Sequence, residues 1–219
     1  MKWDIIEKSH YNTSTWAHGT TTQLYIYPEN GDYTKREFEW RISSATVDAE
    51  ETTFTALYGV KRWIMPIDAA LHLEHKYQEK ALYSITLNPY EAHCFRGDWD
   101  TGSKGKAKDF NLMMRENTFG LLKSVKLFEE GQRLETIFPE AFDERLPHMG
   151  KKLTIGFLSF EGELEFTCEL DQHVAVKDQL VFVHYAIDEI DQMKEISVKH
   201  INQVRPNVIL FALTYGDVD

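Results

Sequence analysis

Short stretches that favour β-strands recur along almost the whole chain, and this recurrence limits the fold more than any other feature. The stretches span roughly 4–10 residues, are separated by Gly, Pro, Asn or Asp, and are not interrupted by a long helical pattern. Such spacing is typical of an antiparallel sandwich or barrel. We therefore predict an all-β protein whose strands include Phe38–Val47, Lys106–Arg115 and Val208–Leu213.

The chain length and the distribution of strands predict two similar halves. With 219 residues the chain can form one large domain or two small ones. We expect one barrel over residues 1–118 and another over residues 119–219, packed as one unit because no low-complexity linker divides them. In the first half, Met1–Ile6 is expected to be the opening strand, and Val60–Ile67 is expected to pair with Ala69–Lys76.

The charge balance excludes two classes of partner. The chain has 24 basic and 35 acidic residues, a net charge of −11. We expect no binding to nucleic acid, because phosphate contacts need clustered Lys and Arg, and none to anionic membranes. Cys94 and Cys168 lie far apart, and the charged segment Met1–Ser14 lacks the apolar core of a signal peptide. These features favour free thiols and a cytoplasmic location.

Two of the predicted strands direct polar groups to one face. In Phe38–Val47 the alternation places aromatic and aliphatic side chains on one face and Arg41 and Ser43 on the other. In the second strand, Asp109 and Asn111 alternate with apolar residues in the same way. Two strands of this kind can line a pocket between them, and we predict such a pocket here.

Arginine in this pocket would suit an anion. A guanidinium group can bind a carboxylate through two hydrogen bonds, so Arg41 and Arg62 are candidate anion ligands. Small residues beside Arg41 leave room for a ligand. A second interpretation stays open, in which Arg41 and Asp109 form an internal ion pair that stabilises the barrel.

Five separated motifs in residues 16–115 resemble the HutD/Ves family. In chain order they are WAHGTTTQLYIYP from Trp16, FEWRIS from Phe38, FTALYGVKR from Phe54, GDW from Gly97 and DFNLM from Asp109. The resemblance implies a bicupin, with two double-stranded β-helix (jelly-roll) barrels in one chain. For the HutD branch it implies control of histidine utilisation and a pocket for a small formylated or carboxylated metabolite such as formylglutamate. The Ves branch is linked to stress.

The histidines do not follow the pattern of a metal-binding cupin. That pattern needs two histidines two residues apart, a nearby glutamate and a later histidine on one inward face. His72 and Glu74 share a face here, but His75 lies on the other, and His93 is separate. We predict packing for His75, exposure for His72 and Glu74, and no metal or other cofactor. No nucleophile or phosphate-loop motif is present either.

These observations lead to a predicted site and function. The expected function is non-enzymatic binding of a small acidic metabolite by a sensor or regulator that is a monomer or a homodimer. One alternative is a cupin isomerase or hydrolase acting on a small sugar or amino-acid derivative, with Asp109 or His18 as general acid or base. Another is an interaction protein that dimerises through a sheet edge. The predicted ligand-binding residues are Arg41 and Arg62 for a carboxylate, Asn111 for an amide or formyl group, Asp109 to orient an arginine, Trp16 to close the site, and Ser43 and Thr22 beside them.

Overall fold

The computed structural model describes residues 1–128, 130–143, 150–168, 171–186, 195–201 and 206–216. The chain forms two compact units, a first unit of residues 10–116 and a second unit of residues 1–9 and 117–219. In the described residues each unit contains two sheets, which confirms the prediction of an all-β chain. The helical segments within these ranges are short and comprise Lys8–His10, Leu134–Ile137 and Pro139–Phe142. Within the described ranges, none of the helices has the length and hydropathy needed to span a bilayer.

The strands are numbered in chain order. The first eleven are β1 (Lys2–Ile6), β2 (Asn12–Trp16), β3 (Gly19–Tyr27), β4 (Trp40–Val47), β5 (Glu51–Thr53), β6 (Val60–Pro66), β7 (Leu71–Tyr77), β8 (Lys80–Leu87), β9 (His93–Arg96), β10 (Asp100–Lys104) and β11 (Ala107–Arg115). The others are β12 (Phe119–Lys126), β13 (Gln132–Arg133), β14 (Lys152–Ser159), β15 (Leu164–Cys168), β16 (Asp171–Ala175), β17 (Leu180–Ala186), β18 (Ser197–His200) and β19 (Asn207–Tyr215).

The first unit is built on a six-stranded sheet in the order β2-β3-β4-β11-β6-β9. Its central strands β4 and β11 run antiparallel to each other, and both are buried over most of their length. The apolar face of β4 carries Trp40, whose ring stacks with Tyr25 and Tyr27 at centroid distances of 5.1 and 5.4 Å. The opposite face carries the polar residues, as the alternation in the sequence predicts.

A second sheet of the first unit has the order β5-β10-β7-β8. An apolar cluster joins the two sheets, with Ile64 of β6 and Phe95 of β9 packed with Leu71 and Leu73 of β7. The predicted pairing of Val60–Ile67 with Ala69–Lys76 is wrong. β6 pairs with β11 and β9, whereas β7 pairs with β8 and β10, because the chain crosses from one sheet to the other between β6 and β7.

The second unit has a five-stranded sheet, β1-β17-β14-β19-β12, and a four-stranded sheet, β13-β18-β15-β16. Strand β1 was expected to belong to the first barrel. Instead it pairs with β17 in the second unit, with Lys2 opposite His184 and Ile6 opposite Leu180. In this position, Trp3 and Ile5 of β1 pack against the apolar core of the second unit.

Candidate functional site

A cavity of about 300 Å³ lies in the first unit, beside the polar face of β4 and β11. Its volume is in the range of small-molecule sites. The structure brings six of the seven predicted ligand-binding residues to this cavity: Trp16, Arg41, Ser43, Arg62, Asp109 and Asn111. We call it the anion cavity, because the positive charge of Arg41 and Arg62 would attract an anion.

Strand register explains how residues distant in sequence meet here. Along β4 and β11, Ser43 lies opposite Asn111 and Arg41 lies opposite Met113. Strand β6 flanks β11 on its other side and places Arg62 opposite Met113 as well. Because side chains alternate between the two faces of a sheet, the odd-numbered residues of β4 and β11 share one face.

The Arg41 side chain is buried, with 4% of its surface exposed. Its Nε donates a 2.7 Å hydrogen bond to Oε1 of Gln23, and its Nη1 donates to Oγ of Ser43 at 3.0 Å. Its guanidinium lies 4.1 Å from the centre of the Tyr33 ring. Burial lowers the pKa of Arg41 to about 10, so the group stays charged at neutral pH.

The Arg62 side chain is also buried, with 6% exposed. Its Nη2 donates a 2.9 Å hydrogen bond to Oδ1 of Asn111. The guanidinium stacks on Phe54 and Phe95 at 4.8 and 5.3 Å from the ring centres. Its Nε is buried and has no hydrogen-bond partner within the described part of the chain. Burial lowers the pKa of Arg62, and the nearby Asp109 opposes this shift.

Asp109 is the carboxyl group of the cavity, and only 2% of it is exposed. Its Oδ1 accepts hydrogen bonds from the amide of Ala45 at 3.3 Å and from Nδ2 of Asn111. Burial raises the pKa of Asp109 to about 7, although the Arg62 charge and these hydrogen bonds act in the opposite direction. Near neutral pH the carboxyl is therefore partly protonated.

The charges of the cavity do not cancel. Among the described residues, no ion pair includes Arg41, Arg62 or Asp109. The internal Arg41–Asp109 pair considered from the sequence is therefore not formed. Two guanidinium groups and one partly ionised carboxyl leave an excess of positive charge in a largely desolvated site. Such a site favours an anion.

The sequence profile of the HutD family matches residues 8–186. The chain belongs to the HutD family. A search of curated protein sequences finds no match.

Solved structures similar to this HutD-family protein include HutD from Pseudomonas fluorescens SBW25, with a TM-score of 0.66 and 19% identity over 99% of this chain and 100% of that one. A conserved protein of unknown function from Pseudomonas aeruginosa PAO1 gives a TM-score of 0.70 and 15% identity, with the same coverage. A variant of the oxalate decarboxylase of Bacillus subtilis gives 0.55 and 6%, over 98% of this chain and 78% of that one. These likenesses show a cupin-like, jelly-roll-like fold.

The rim of the anion cavity in this HutD-family protein includes Trp16, which is 37% exposed. Its Nε1 donates a 3.2 Å hydrogen bond to Oγ1 of Thr21. Thr22 was expected at the site but does not line the cavity, and its hydroxyl lies 2.9 Å from that of Thr13. The neighbouring Thr21 lines the cavity instead, as strand alternation requires. His18 packs edge-on against Trp16 without lining the cavity.

Two aromatic residues are among the lining residues that were not identified from the sequence. Tyr33 and Phe54 lie outside the strands and supply aromatic surfaces for Arg41 and Arg62. Strand alternation gives no indication for Tyr33, because Tyr33 lies outside the strands. Phe54 belongs to one of the motifs that carry the family resemblance, and that motif was the sequence signal that could have identified it.

The predicted faces of β7 are confirmed. His72 and Glu74 have partly exposed side chains, 3.7 Å apart between Nε2 and Oε1, whereas His75 is buried. Over the described ranges, no group of three or more His, Cys, Asp or Glu side chains is placed to hold a metal ion.

Proposed function

We propose that this HutD-family protein binds a small acidic metabolite in the anion cavity and acts as a sensor or regulator without turning the ligand over. One observation carries the proposal: Arg41 and Arg62 are both buried in one cavity, and neither has an ion-paired carboxylate among the described residues. A buried charge without a counter-ion is unfavourable. A ligand carboxylate would supply the counter-ion through charge-assisted hydrogen bonds.

Donors for such a ligand remain available on both arginines. Arg41 uses Nε and Nη1 for its polar contacts, and its Nη2 makes none with the described residues. Arg62 uses Nη2 for its hydrogen bond to Asn111, and its Nη1 makes no polar contact with the described residues. A ligand oxygen that accepts from these Nη atoms would form a charge-assisted hydrogen bond.

The family supports a particular ligand class. The HutD branch is associated with histidine utilisation. The structure of HutD from Pseudomonas fluorescens was solved in a formate condition. Formate is the smallest carboxylate, and formylglutamate combines carboxylates with a formyl group. We propose formylglutamate or a close analogue as the ligand. We also propose a cytoplasmic location, which is supported by Cys94 and Cys168, since neither forms a disulfide.

The two sheets in each unit support a finer proposal for the fold. Each unit would be one cupin barrel, so that the chain is a bicupin. The anion cavity is formed by residues of the first unit alone.

A second function is favoured by one observation, the raised pKa of Asp109. A carboxyl with a pKa of about 7 in a cavity suits a general acid or base at neutral pH. In this alternative the protein is a cupin isomerase or hydrolase that acts on a small sugar or amino-acid derivative, and Asp109 moves the proton.

A thermal melt with a ligand panel tests these proposals. The panel comprises formylglutamate, glutamate, urocanate and formate, and the amount of each ligand is followed by NMR. A ligand at a hundred times its Kd adds roughly 2.7 kcal/mol, a Tm increase of roughly 5–10 °C for a chain of this size. We expect this increase with formylglutamate and no loss of the ligand.

Three other results are informative. Consumption of a panel member would favour the enzyme. If no carboxylate raises the Tm, or if Arg41→Met gives the same increase as the unaltered protein, the anion cavity is not the ligand site.

A further inference from the structure

Two histidines of the first unit meet at a place separate from the anion cavity. His75 of β7 is buried, and its Nε2 lies 3.2 Å from Nε2 of His93 on β9. The hydroxyl of Tyr83 on β8 lies 3.2 Å from the same His93 nitrogen. None of the three lines the anion cavity. Three atoms that can donate an electron pair therefore meet in one cluster, which we call the His75 cluster.

Strand pairing holds this cluster together. Tyr83 lies opposite His75 in the β7–β8 pair, and Thr101 lies opposite His75 in the β7–β10 pair. His93 comes from the other sheet, where it lies opposite Ile64 of β6. Residues on strands are positioned more precisely than residues on loops. The geometry of the cluster is thus set by both sheets of the unit.

A hydrogen-bond chain orients the His75 ring. Its Nδ1 lies 2.9 Å from Oγ1 of Thr101, and that hydroxyl is within 3.5 Å of the Trp99 carbonyl oxygen. The chain is satisfied when Nδ1–H donates to Thr101 and Thr101 donates to Trp99. In that arrangement Nε2 of His75 carries a lone pair directed at His93, the arrangement usual for a metal-ligating imidazole.

Aromatic rings cover one side of the cluster. Phe95 and Trp99 pack against the buried His75 with ring centres at 4.9 and 5.3 Å, so the His75 side of the site is shielded from water. Neutral imidazole is the form that binds metal ions.

We propose that His75, His93 and Tyr83 form a binding site for a divalent transition-metal ion of the Zn²⁺ type. Two nitrogens that each lie 2.0–2.1 Å from a tetrahedral zinc ion are roughly 3.3 Å apart, and the two Nε2 atoms here are 3.2 Å apart. Imidazole ligands suit zinc, copper, nickel and cobalt. Tyr83 is 42% exposed, so the open side of the site is reachable from solvent.

The competing account is a plain hydrogen bond. One Nε2–H donates to the other Nε2, and the cluster serves only to pack the two sheets. Both accounts place the same atoms in the same positions, so only metal binding distinguishes them.

The test is a titration of tag-free, chelator-treated protein with Co²⁺, followed by visible absorption, and with Zn²⁺, followed by calorimetry. We expect one ion per chain. His93→Gln should weaken binding at least tenfold and alter the Co²⁺ spectrum. Tyr83→Phe should weaken it only a few-fold, since both imidazole ligands remain. His72→Gln is the matched control, because His72 lies on the other face of β7, and it should bind as the unaltered protein does.

Several results would overturn the proposal. One is the absence of saturable binding near one equivalent. Another is equal affinity in His93→Gln and the unaltered protein, which would assign the ion to other surface groups. If His93→Gln does not fold, an unchanged Co²⁺ spectrum in Tyr83→Phe overturns the assigned ligand set. Arg41→Met should keep its metal, so failure here is distinguishable from failure of the proposed anion site.

Discussion

Arg62 Nη2 donates a 2.9 Å hydrogen bond to Oδ1 of Asn111, and this contact changes the role expected for the asparagine. The same amide donates through Nδ2 to Asp109. From the sequence, Asn111 was predicted to bind an amide or formyl group of the ligand. In the structure its oxygen is already used by Arg62. Asn111 therefore holds a guanidinium and a carboxyl in position, and Arg62 is the group that we propose faces the ligand.

The first prediction concerns this positioning role. Asn111→Ala should lower formylglutamate affinity about tenfold and the free energy of unfolding by about 1–3 kcal/mol, because the groups it joins lose a buried partner. Calorimetry and urea unfolding measure the two effects. Ser44→Ala is the control, since Ser44 Oγ donates to the Asp109 carbonyl at 2.7 Å and does not line the cavity. Ser44→Ala should lower the free energy of unfolding and leave the formylglutamate affinity unchanged. Wild-type affinity in Asn111→Ala would contradict the role.

The second prediction concerns Arg41. Arg41→Met should abolish formylglutamate binding, with at least a hundredfold loss of affinity, because charge-assisted hydrogen bonds are worth about 1.5–3 kcal/mol each. The fold should persist, since methionine fills similar space and removes a desolvated charge. The control is Arg36→Met. The Arg36 guanidinium also stacks on Tyr33, 4.6 Å from the ring centre, but Arg36 does not line the cavity. Unfolding of Arg41→Met would mean that the arginine is structural.

The third prediction concerns pH. The pKa of Asp109 rises from its ordinary value of 3.8 to about 7 in the folded protein. Between these values the folded chain holds a proton that the unfolded chain releases, so the free energy of unfolding falls as the pH rises. The loss from pH 5 to pH 8 is about 2–3 kcal/mol. Asp109→Asn lacks this loss and should gain that amount relative to the unaltered protein over the same interval.

Urea unfolding at pH 5 and pH 8 measures this difference. Asp100→Asn, an exposed substitution in the same unit, should show the pH dependence of the unaltered protein. Deprotonation also adds a negative charge to the cavity, so carboxylate affinity should fall about tenfold between pH 6 and pH 8. In Asp109→Asn the affinity should not change over this interval. Parallel curves for the variant and the unaltered protein would show that Asp109 does not titrate here.

Period-two alternation explains what could be predicted from the sequence. Arg41, Ser43, Asp109 and Asn111 were placed on one face of two strands, and the cavity lining confirms that placement. Local pattern is sufficient for this, because the face of a strand residue depends only on its neighbours in sequence.

Pairings between distant segments could not be predicted in the same way. The alternation of β1 is the same whichever sheet it joins, so its position beside β17 is not visible in Met1–Ile6. His75 and His93 meet across two sheets. The spacing along β7 indicated only that His72 and Glu74 share a face of the strand. In β3 the register shifts between Gln23 and Tyr25, and no pattern in the sequence indicates such a bulge.

The last prediction concerns Gly19, at the turn that carries the cavity rim. Gly19 has φ +154°, and a Cβ there would overlap the Thr46 carbonyl oxygen, so the backbone of β3 would have to move away from β4. Gly19 also pairs with Trp16 across the β2–β3 hairpin. Gly19→Ala should therefore lower the Tm by at least about 4 °C and weaken formylglutamate binding several-fold by displacing Trp16. Gly102→Ala is the matched control, since its Cβ would meet nothing closer than 4.0 Å, and it should leave both quantities unchanged. A Gly19→Ala variant with a normal Tm but weaker formylglutamate binding would place the strain in the rim alone. A variant with a normal Tm and normal binding would show that β3 can shift at no cost.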